Sequence, residues 1–564
     1  MAEQPFPEKP VVSFDKHPQR LGVVVGGSLE DGLVIKLDRQ AVIEGVTVGS
    51  YVTITGQAGR KFFGMITDTE LGSANKARMI SLSVESEKLA ESYGNALAYR
   101  VLHVKPLLVM EADDQKPKPV RSVPANLTIA YLSTADEMAL IFPQEQDSYT
   151  IGESLDNPGI QIQISLKKLV ERSTAVFGRS GTGKTFLTLP LLAHIIKKDL
   201  ASVLIFDMHN DYGHTLKGDG NKHFKGLKQL SAISHKVVIA TLDPESSQRR
   251  KSGASFALQI GYDQIEPEDI EMLQNAFALT DVQINALNWF RRRFGKEWLK
   301  KLLSDEKDSG LAELVEHGEL HSDTLNAMRR KLQIFSKFEF LRDAVAQDAV
   351  EQILGHLQRG NSVVVEFGRY GNSQEAYLFV SNLLTRRIHD RYVAMKEAAE
   401  SGGCEEPRQL VIVIEEAHKF LQPGIANLTT FGTIARELRK YNVTLLIVDQ
   451  RPSQIDSEVM SQIGTRITCA LSDERDIAAV LAGVSEANQL RSVLAALDSK
   501  QQALIMGHAV PTPVAVRTAE YGEAVYKQFA RTEDDLPPEE RATLKLSQEE
   551  KANALASGAI NSPG

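Results

Sequence analysis

Short, mainly hydrophobic β-prone runs, separated by glycine turns, characterise the first part of this chain. The spacing from one run to the next is typical of small barrels. The β-prone runs lie at residues 21–25, 33–37, 51–55, 62–66 and 80–84. The pattern predicts an N-terminal β-barrel over residues 1–115. Because it holds no cluster of residue types suited to catalysis, we expect a role in assembly or docking.

A different pattern follows a stretch rich in proline and lysine that begins at residue 116. We assign residues 116–160 to a linker and to strands that lead into the next domain. Continuous apolar runs, typical of a parallel sheet buried on both faces, then lie at residues 203–207, 362–367, 410–414 and 443–448. Helical periodicity occurs between these runs, so the pattern predicts an α/β core.

Residues 264–358 interrupt this core with apolar residues at helical spacing and polar faces between them. This pattern predicts an inserted helical bundle. The core then consists of two parts, residues 161–263 and 359–520. The last stretch, residues 521–564, has mixed charge and few apolar residues, which is typical of an arm or a disordered tail.

The composition narrows the class of protein. Hydrophobic residues make up 42% of the 564 residues and charged residues 24%, as in ordinary globular proteins. No apolar run approaches the ~18 residues that span a bilayer, and the N-terminus lacks a secretion signal. The cysteines, Cys404 and Cys469, fit a reducing compartment. We therefore expect a cytoplasmic protein without a membrane segment, whose net charge of −9 argues against coating nucleic acid with its whole surface.

The segment from Gly178 to Thr185 fits the pattern G-x-x-x-x-G-K-[ST] at every fixed position. An apolar run precedes it and a helical pattern follows, so backbone N–H groups and a helix dipole would surround a polyphosphate. We expect Lys184 to contact the β- and γ-phosphates of ATP and the Thr185 hydroxyl to bind Mg²⁺. The predicted nucleotide-binding residues of this segment are Gly178, Arg179, Ser180, Gly181, Thr182, Gly183, Lys184, Thr185 and Phe186.

Two carboxylates, Glu415 and Glu416, follow the apolar run at residues 410–414. Ligands of open α/β sheets bind beyond the carboxyl ends of the strands. Hydrolysis of a nucleotide needs a metal ligand and a group that positions the attacking water. We predict that Glu415 belongs to the Mg²⁺ shell and that Glu416 orients and polarises the water.

A second polar strand end carries Gln450, just after the run at residues 443–448. We predict that it senses the γ-phosphate or the lytic water, the alternative being a simple cap of the strand. Between the two strand ends, residues 431–441 have a helical pattern with Arg436 and Arg439 on one face. An arginine in such a position either acts on the nucleotide of a neighbouring subunit or forms surface ion pairs.

Asp207, His209 and Asp211 follow the run at residues 203–207, which brings them near the nucleotide. Such ligand types in a short segment indicate either a separate metal site or a relay of the nucleotide state to the next loop. That loop holds three lysines, Lys217, Lys222 and Lys225, which are candidate DNA contacts. The alternative is a flexible solvated loop.

As a set, these motifs resemble those of the HerA ATPases, in the HerA/FtsK branch of RecA-like motors. In chain order the motifs lie at residues 178–185, 207–212, 414–418, 434–440, 449–453 and 511–517. The resemblance covers about residues 20–520 and implies an α/β, RecA-like P-loop NTPase core with an N-terminal β-barrel and a helical insert. It also implies nucleotide binding by Arg517 and catalytic roles for Lys184, Glu416 and Gln450. For the helix at residues 431–441 it implies a catalytic arginine, either Arg436 or Arg439.

Members of this family form hexameric rings that hydrolyse ATP and translocate double-stranded DNA. The resemblance therefore implies a homo-hexamer and a partner, either a NurA-type nuclease or a sirtuin-type or nuclease antiphage effector. Glu415 stands where relatives often have Asp, and Asp211 where they have Glu, but both keep the charge. We expect an ATP-driven motor on duplex DNA, the alternative being a nucleotide-gated scaffold that switches an effector protein.

Overall fold

The computed structural model describes residues 19–38, 46–73, 98–114, 116–155, 159–218, 222–304, 321–437, 440–484 and 487–530. The strand predicted at residues 80–84, the candidate Arg439 and the chain beyond residue 530 lie outside these residues.

A closed barrel forms the N-terminal domain. Its strands are β1 (Arg20–Ser28), β2 (Gly32–Leu37), β3 (Tyr51–Thr55), β4 (Lys61–Ser73), β5 (Ala98–Met110), β6 (Lys118–Pro119) and β7 (Ile129–Leu132). They pair in the order β2-β1-β7-β3-β4-β5-β6, and a further pairing of β2 with β5 closes the barrel. Alternate residues of these strands fill its interior, among them Leu21, Ile35 and Val104. The barrel takes in Ile129–Leu132, a strand from the stretch that we assigned to a linker and leading strands.

The remaining strands belong to the large sheet of the core domain or to two short two-stranded sheets. They are β8 (Ser148–Ser154), β9 (Gln161–Ser165), β10 (Thr174–Phe177), β11 (Ser202–Asp207), β12 (Leu216–Lys217), β13 (His223–Phe224), β14 (Val237–Thr241), β15 (Phe256–Ala257), β16 (Ile260–Gly261), β17 (Leu341–Arg342), β18 (Ser362–Glu366), β19 (Leu410–Glu415), β20 (Val443–Asp449), β21 (Thr465–Cys469), β22 (Gln502–Gly507) and β23 (Val514–Thr518). The two short sheets are the antiparallel pair of β12 with β13 and the parallel pair of β16 with β17.

Twelve of these strands form one sheet in the order β15-β14-β18-β11-β19-β20-β10-β21-β22-β23-β8-β9. The strands from β15 to β21 run parallel, whereas β22, β23, β8 and β9 are joined antiparallel. The central strands are buried along their whole length because helices cover both faces, as their apolar sequences predict. The carboxyl ends of the parallel strands therefore meet at one edge of the sheet.

Helices cover this sheet and form the insert. Their bounds are Ala135–Ile141, Leu166–Glu171, Lys184–Lys197, Pro244–Arg250, Pro267–Glu271, Asp281–Phe294, Trp298–Leu303, Ser322–Leu332, Ala349–Gln358, Gln374–Glu400, His418–Leu421, Thr430–Glu437, Ser457–Gln462, Glu474–Leu481, Ala487–Ala496 and Glu523–Gln528. Short 3₁₀ turns lie at Gln57–Gly59, Leu227–Gln229, Ser234–Lys236, Tyr262–Gln264, Gly295–Glu297, Gln333–Lys337, Gly368–Asn372 and Pro452–Gln454.

The helical insert buries large apolar side chains that belong to the same hydrophobic cluster as the core domain. Trp298, Phe290 and Phe335 are fully buried, and the indole N–H of Trp298 donates to the carbonyl of Ile265 at 2.9 Å. Thr280 begins the helix Asp281–Phe294 with a reciprocal capping box to Gln283. The fold therefore matches the predicted class, an α/β P-loop core with a small barrel and a helical insert.

The chain just after β23 packs on the core. Tyr521, Val525 and Phe529 recur at helical spacing and are each about 98% buried or more. The side-chain amide oxygen of Gln528 and the ring of Phe529 contact His194 on the helix Lys184–Lys197. The first part of the predicted arm or tail is therefore an ordered strap along that helix, because its few apolar residues share one face.

No helix in the described parts of the chain has both the length and the apolar character needed to cross a membrane.

Candidate active site

The phosphate loop begins where β10 ends and runs into the helix Lys184–Lys197. The N–H of Gly178 donates to the carbonyl of Asp449 at 3.2 Å, which ties the loop to the end of β20. A Cβ on Gly178 would lie 2.7 Å from the Thr182 hydroxyl oxygen and 2.8 Å from the Cys469 Cβ, so only glycine fits there. Gly183 precedes the helix with φ +90°, a left-handed conformation that favours glycine.

Lys184 turns back over this loop. Its Nζ donates to the carbonyl oxygens of Gly178 at 2.8 Å and of Arg179 at 3.2 Å. Burial lowers the pKa of the Lys184 ammonium, although the charges of Cys469, Glu416, Glu415 and Asp449 act in the opposite direction. Thr185 and Phe186 are half-buried in the first turn of the helix, beside the loop. The segment has the backbone shape and the cation of a phosphate-binding site.

Glu415 closes β19 and is held in the protein interior. Its Oε1 accepts a hydrogen bond from the Tyr212 hydroxyl at 3.0 Å. Its backbone carbonyl accepts from the Tyr377 hydroxyl at 2.8 Å. Burial, with the nearby charge of Asp207, raises the pKa of the Glu415 carboxyl to about 8. A buried carboxyl of this kind is stabilised as an anion when a cation binds beside it.

The Oε2 atom of Glu415 is buried and has no hydrogen-bond partner among the described residues. Buried carboxylate oxygens are rarely left without a partner, so this oxygen fits a ligand that the polypeptide does not supply. Thr185, beside the phosphate loop, offers a hydroxyl oxygen. Mg²⁺ commonly binds through one or two protein oxygens together with phosphate oxygens and water. The donor set therefore fits the Mg²⁺ site predicted from the sequence.

Glu416 lies one residue further, at the open edge of the sheet, with 25% of its side chain exposed. Its backbone has φ +50°, a left-handed conformation that is uncommon outside glycine. The side-chain amide of Gln450 donates to its Oε1 at 3.2 Å, and the ring Nε2 of His418 lies 3.7 Å from its Oε2. The structure therefore brings together Glu416 and Gln450, two residues that the sequence analysis selected separately.

Asp449 belongs to the motif at residues 449–453, but the sequence analysis gave it no role of its own; in the structure it contacts His418 and Arg451. Its carboxylate accepts from the backbone N–H of His418 at 2.7 Å, and it pairs with the His418 ring Nδ1 at 2.9 Å. It also accepts from the N–H of Arg451 at 2.7 Å. Burial alone would raise the pKa of Asp449, but these donors hold that pKa below its ordinary value. The sequence feature that could have identified Asp449 as a site residue is its position as a single acid at a strand end, two residues before Arg451.

The Asp207 carboxylate binds the backbone of the loop that follows β11. It is fully buried, and its carboxylate accepts from the N–H groups of Asp211 at 2.7 Å, Tyr212 at 2.9 Å and Gly213 at 3.2 Å. Burial raises the pKa of Asp207 to about 7. His209 is exposed on the same loop. Within the described ranges, no three His, Cys, Asp or Glu side chains are grouped so that they could hold a metal ion.

The structure gives the contacts of two of the three candidate arginines. Arg436 is half-buried on the helix Thr430–Glu437, and its Nη1 donates to the Asn427 side chain at 2.8 Å. Arg439 lies outside the described residues. Arg517 is exposed on β23, which is separated from β10 by β21 and β22. Their roles toward a nucleotide stay predictions.

The lysine-rich loop is partly a small hairpin of β12 and β13. Lys217 and Lys222 are exposed. The Lys225 ammonium instead lies over the Tyr526 ring, 4.7 Å from its centroid, and its backbone N–H and carbonyl bind the hydroxyls of Tyr526 and Tyr521. Lys225 therefore joins the hairpin to the C-terminal strap, whereas the other two lysines face solvent.

Comparison with known proteins agrees with this architecture. Residues 149–388 match the family model described as helicase HerA, central domain, and residues 21–105 match the HAS barrel domain. The chain is 24% identical over 517 residues to the DNA double-strand break repair helicase HerA of Pyrococcus furiosus, covering 85% of this chain and 88% of that protein. It is 26% identical over 511 residues to the protein of the same name from Sulfurisphaera tokodaii, covering 88% and 92%.

Among solved structures, VirB4 of Thermoanaerobacter pseudethanolicus aligns with a TM-score of 0.45 and 12% identity, over 69% of this chain and 99% of that one. The two family models occur in the order that the barrel and the core have along the chain. Together with these relatives, which align over 85% and 88% of this chain, they show that the chain is similar to HerA helicases from the barrel through the P-loop core.

Proposed function

We propose that this chain is the subunit of a ring-shaped motor that hydrolyses ATP with Mg²⁺ and moves along double-stranded DNA. One observation carries the proposal: the phosphate loop and the acidic strand ends lie at the same edge of the parallel sheet. The residues at this edge are Lys184, Glu415, Glu416 and Gln450. The relatives from Pyrococcus furiosus and Sulfurisphaera tokodaii are named as helicases of DNA double-strand break repair, which supports DNA as the polymer along which the motor moves.

In this proposal the loop N–H groups from Gly178 to Phe186 and the Lys184 ammonium bind the phosphates of ATP. The Thr185 hydroxyl and Oε2 of Glu415 hold Mg²⁺, which when bound neutralises charge on the phosphate oxygens. Glu416 accepts a hydrogen bond from the attacking water and orients it toward the γ-phosphorus. Gln450 fixes the Glu416 carboxylate through the hydrogen bond described above.

The remaining residues have roles that depend on assembly. We propose a homo-hexamer in which Arg436 or Arg439 reaches the nucleotide of the adjacent subunit, with Arg517 contributing a further cation at the sheet edge. An arginine supplied in trans stabilises the charge of the transition state. Lys217 and Lys222, which are exposed, are the candidate contacts to DNA phosphates, and Lys225 orders their hairpin. The partner would be a nuclease of the NurA type or an antiphage effector.

Steady-state ATP hydrolysis by the purified chain, with and without linear duplex DNA, tests this proposal. We expect DNA to stimulate the rate at low salt and the stimulation to fade at high salt, because phosphate contacts release counterions. Glu416→Gln should abolish turnover under all conditions. A rate that is indifferent to DNA would favour the nucleotide-gated scaffold, in which turnover responds to an effector protein.

Two matched double variants distinguish a specific contact between the hairpin and DNA from a general effect of the protein's net charge on DNA binding. Lys217→Glu/Lys222→Glu should lose DNA stimulation but keep the basal rate. Lys167→Glu/Lys168→Glu makes the same charge change at two exposed lysines on the helix Leu166–Glu171, which precedes the amino end of β10. If both double variants lose stimulation equally, the hairpin is not the specific DNA contact.

A further inference from the structure

The side chains of Tyr212 and Glu415 contact each other although 203 positions separate them in the chain. Tyr212 is 0% exposed and Glu415 is 7% exposed. Tyr212 lies in the loop after β11, and Glu415 is the last residue of the neighbouring parallel strand β19; the pairing of these strands places Phe206 opposite Ile414. The Tyr212 hydroxyl therefore reaches the Glu415 carboxylate across the gap between the two strand ends.

The loop that carries Tyr212 is built to hold its ring in place. The Asp207 carboxylate accepts the N–H groups of Asp211, Tyr212 and Gly213, which closes the turn over the end of β11. The carbonyl of Tyr212 accepts from the N–H of Leu227 at 2.8 Å, and that of Gly213 accepts from Lys228 at 3.2 Å. With its backbone tied on both sides, Tyr212 presents its hydroxyl in one direction.

The contact makes the two oxygens of Glu415 unequal. Oε1 accepts the Tyr212 hydroxyl, whereas Oε2 is buried without a partner among the described residues. A carboxylate on a freely rotating side chain exchanges its oxygens, but a hydrogen bond to one of them fixes the plane of the group and the direction of the other. Hydrogen-bond partners of metal-binding carboxylates have this orienting effect in general.

We propose that Tyr212 is a positioning residue for Glu415: its hydroxyl holds Oε1 and directs Oε2 toward the cation that accompanies the nucleotide phosphates. This inference rests on the proposed function, since it requires Glu415 to bind that cation. It assigns the motif Asp207–Tyr212 to orientation of the neighbouring strand's carboxylate rather than to metal binding of its own.

Tyr377 provides a matched control. It is also 0% exposed and also donates to Glu415, but to the backbone carbonyl at 2.8 Å rather than to the carboxylate. Tyr212→Phe and Tyr377→Phe each keep the ring and remove one hydroxyl that bonds to the same residue. A role of Tyr212 in packing alone predicts the same behaviour for both variants.

The test measures binding of Mn²⁺, by electron paramagnetic resonance, to the full chain saturated with a non-hydrolysable ATP analogue. Tyr212→Phe should need roughly tenfold more Mn²⁺ for half-saturation, while Tyr377→Phe should stay within about twofold of the parent. Thermal unfolding without nucleotide verifies that both variants fold. At saturating Mg²⁺, Tyr212→Phe should lower kcat and leave the KM for ATP nearly unchanged, because the phosphate contacts remain.

A double variant shows whether Tyr212 acts through Glu415. In a Glu415→Gln background, adding Tyr212→Phe should cause no further loss of Mn²⁺ binding. Parental Mn²⁺ affinity in Tyr212→Phe, or equal losses in Tyr212→Phe and Tyr377→Phe, would overturn the inference while leaving the proposed function intact. Parental affinity in Glu415→Gln itself would instead overturn the metal assignment of the proposed function.

Discussion

The side-chain amide of Gln450 donates a hydrogen bond of 3.2 Å to Oε1 of Glu416. Glu416 follows β19 and Gln450 follows β20, and these neighbouring parallel strands place Glu415 opposite Val448. The contact therefore follows from the strand register. It holds the candidate catalytic carboxylate in one orientation before the nucleotide binds.

Replacement of Gln450 tests the value of this contact. Gln450→Leu keeps the approximate shape and removes the donor, so we expect kcat for ATP hydrolysis to fall about tenfold or more, with a small change in KM, because a misoriented base loses transition-state contacts. Gln454→Leu, at an exposed position of the following turn, is the control. An unchanged kcat in Gln450→Leu would exclude a positioning role for this amide.

The left-handed backbone conformation of Glu416 is expected to lower the stability of the fold, although the proposed hydrolysis needs the glutamate side chain. Its φ of +50° is unfavourable for glutamate but tolerated by asparagine. We expect Glu416→Asn to be more stable than Glu416→Gln by roughly 0.5–1 kcal/mol in urea denaturation. Both variants should lose turnover. Equal stability of the two would mean that the surrounding turn relaxes when the residue changes.

Asp449 should matter more for stability than for the chemical step. Asp449→Asn keeps the size but places an amide where three N–H donors now meet a carboxylate, the backbone and ring of His418 and the backbone of Arg451. We expect a loss of roughly 1–3 kcal/mol in the free energy of unfolding, because hydrogen bonds to a buried charged acceptor are the stronger kind. A change below 0.5 kcal/mol, on the order of a surface substitution, would contradict this view.

The raised pKa of Glu415 predicts how stability depends on pH in the nucleotide-free protein. Burial raises that pKa from 4.5 to about 8, so the folded state binds a proton that the unfolded state releases. The contribution of this proton to the free energy of unfolding is fully present below about pH 4.5 and is lost as the pH rises toward 8. Asp207, raised from 3.8 to about 7, acts in the same direction.

Unfolding of the parent and of Glu415→Gln at several pH values measures this effect. The parent should lose roughly 1–3 kcal/mol relative to the variant between pH 5 and pH 8.5, because glutamine stays neutral throughout. Parallel stability curves for the two proteins would show that Glu415 is ionised in the fold over the whole range.

Some parts of this site could be predicted from sequence because they are local. The phosphate loop is a continuous segment, and its glycines occupy backbone conformations that other residues rarely adopt, as at Gly183 with φ +90°. The buried parallel strands are recognisable as apolar runs, so the edge where Glu415, Glu416 and Gln450 lie was also predictable. The same reasoning did not identify the ordered strap after β23, whose apolar residues are few but aligned on one face.

By itself the sequence determined the fold class, the phosphate loop and the strand ends that carry the acids, because each depends on neighbouring residues and on the periodicity of burial. Only the tertiary structure decided the partners of those acids. Tyr212 meets Glu415 across 203 positions of the chain, and Asp449 meets His418 across 31. Such contacts depend on strand order and register, which the folded sheet establishes and no local pattern encodes.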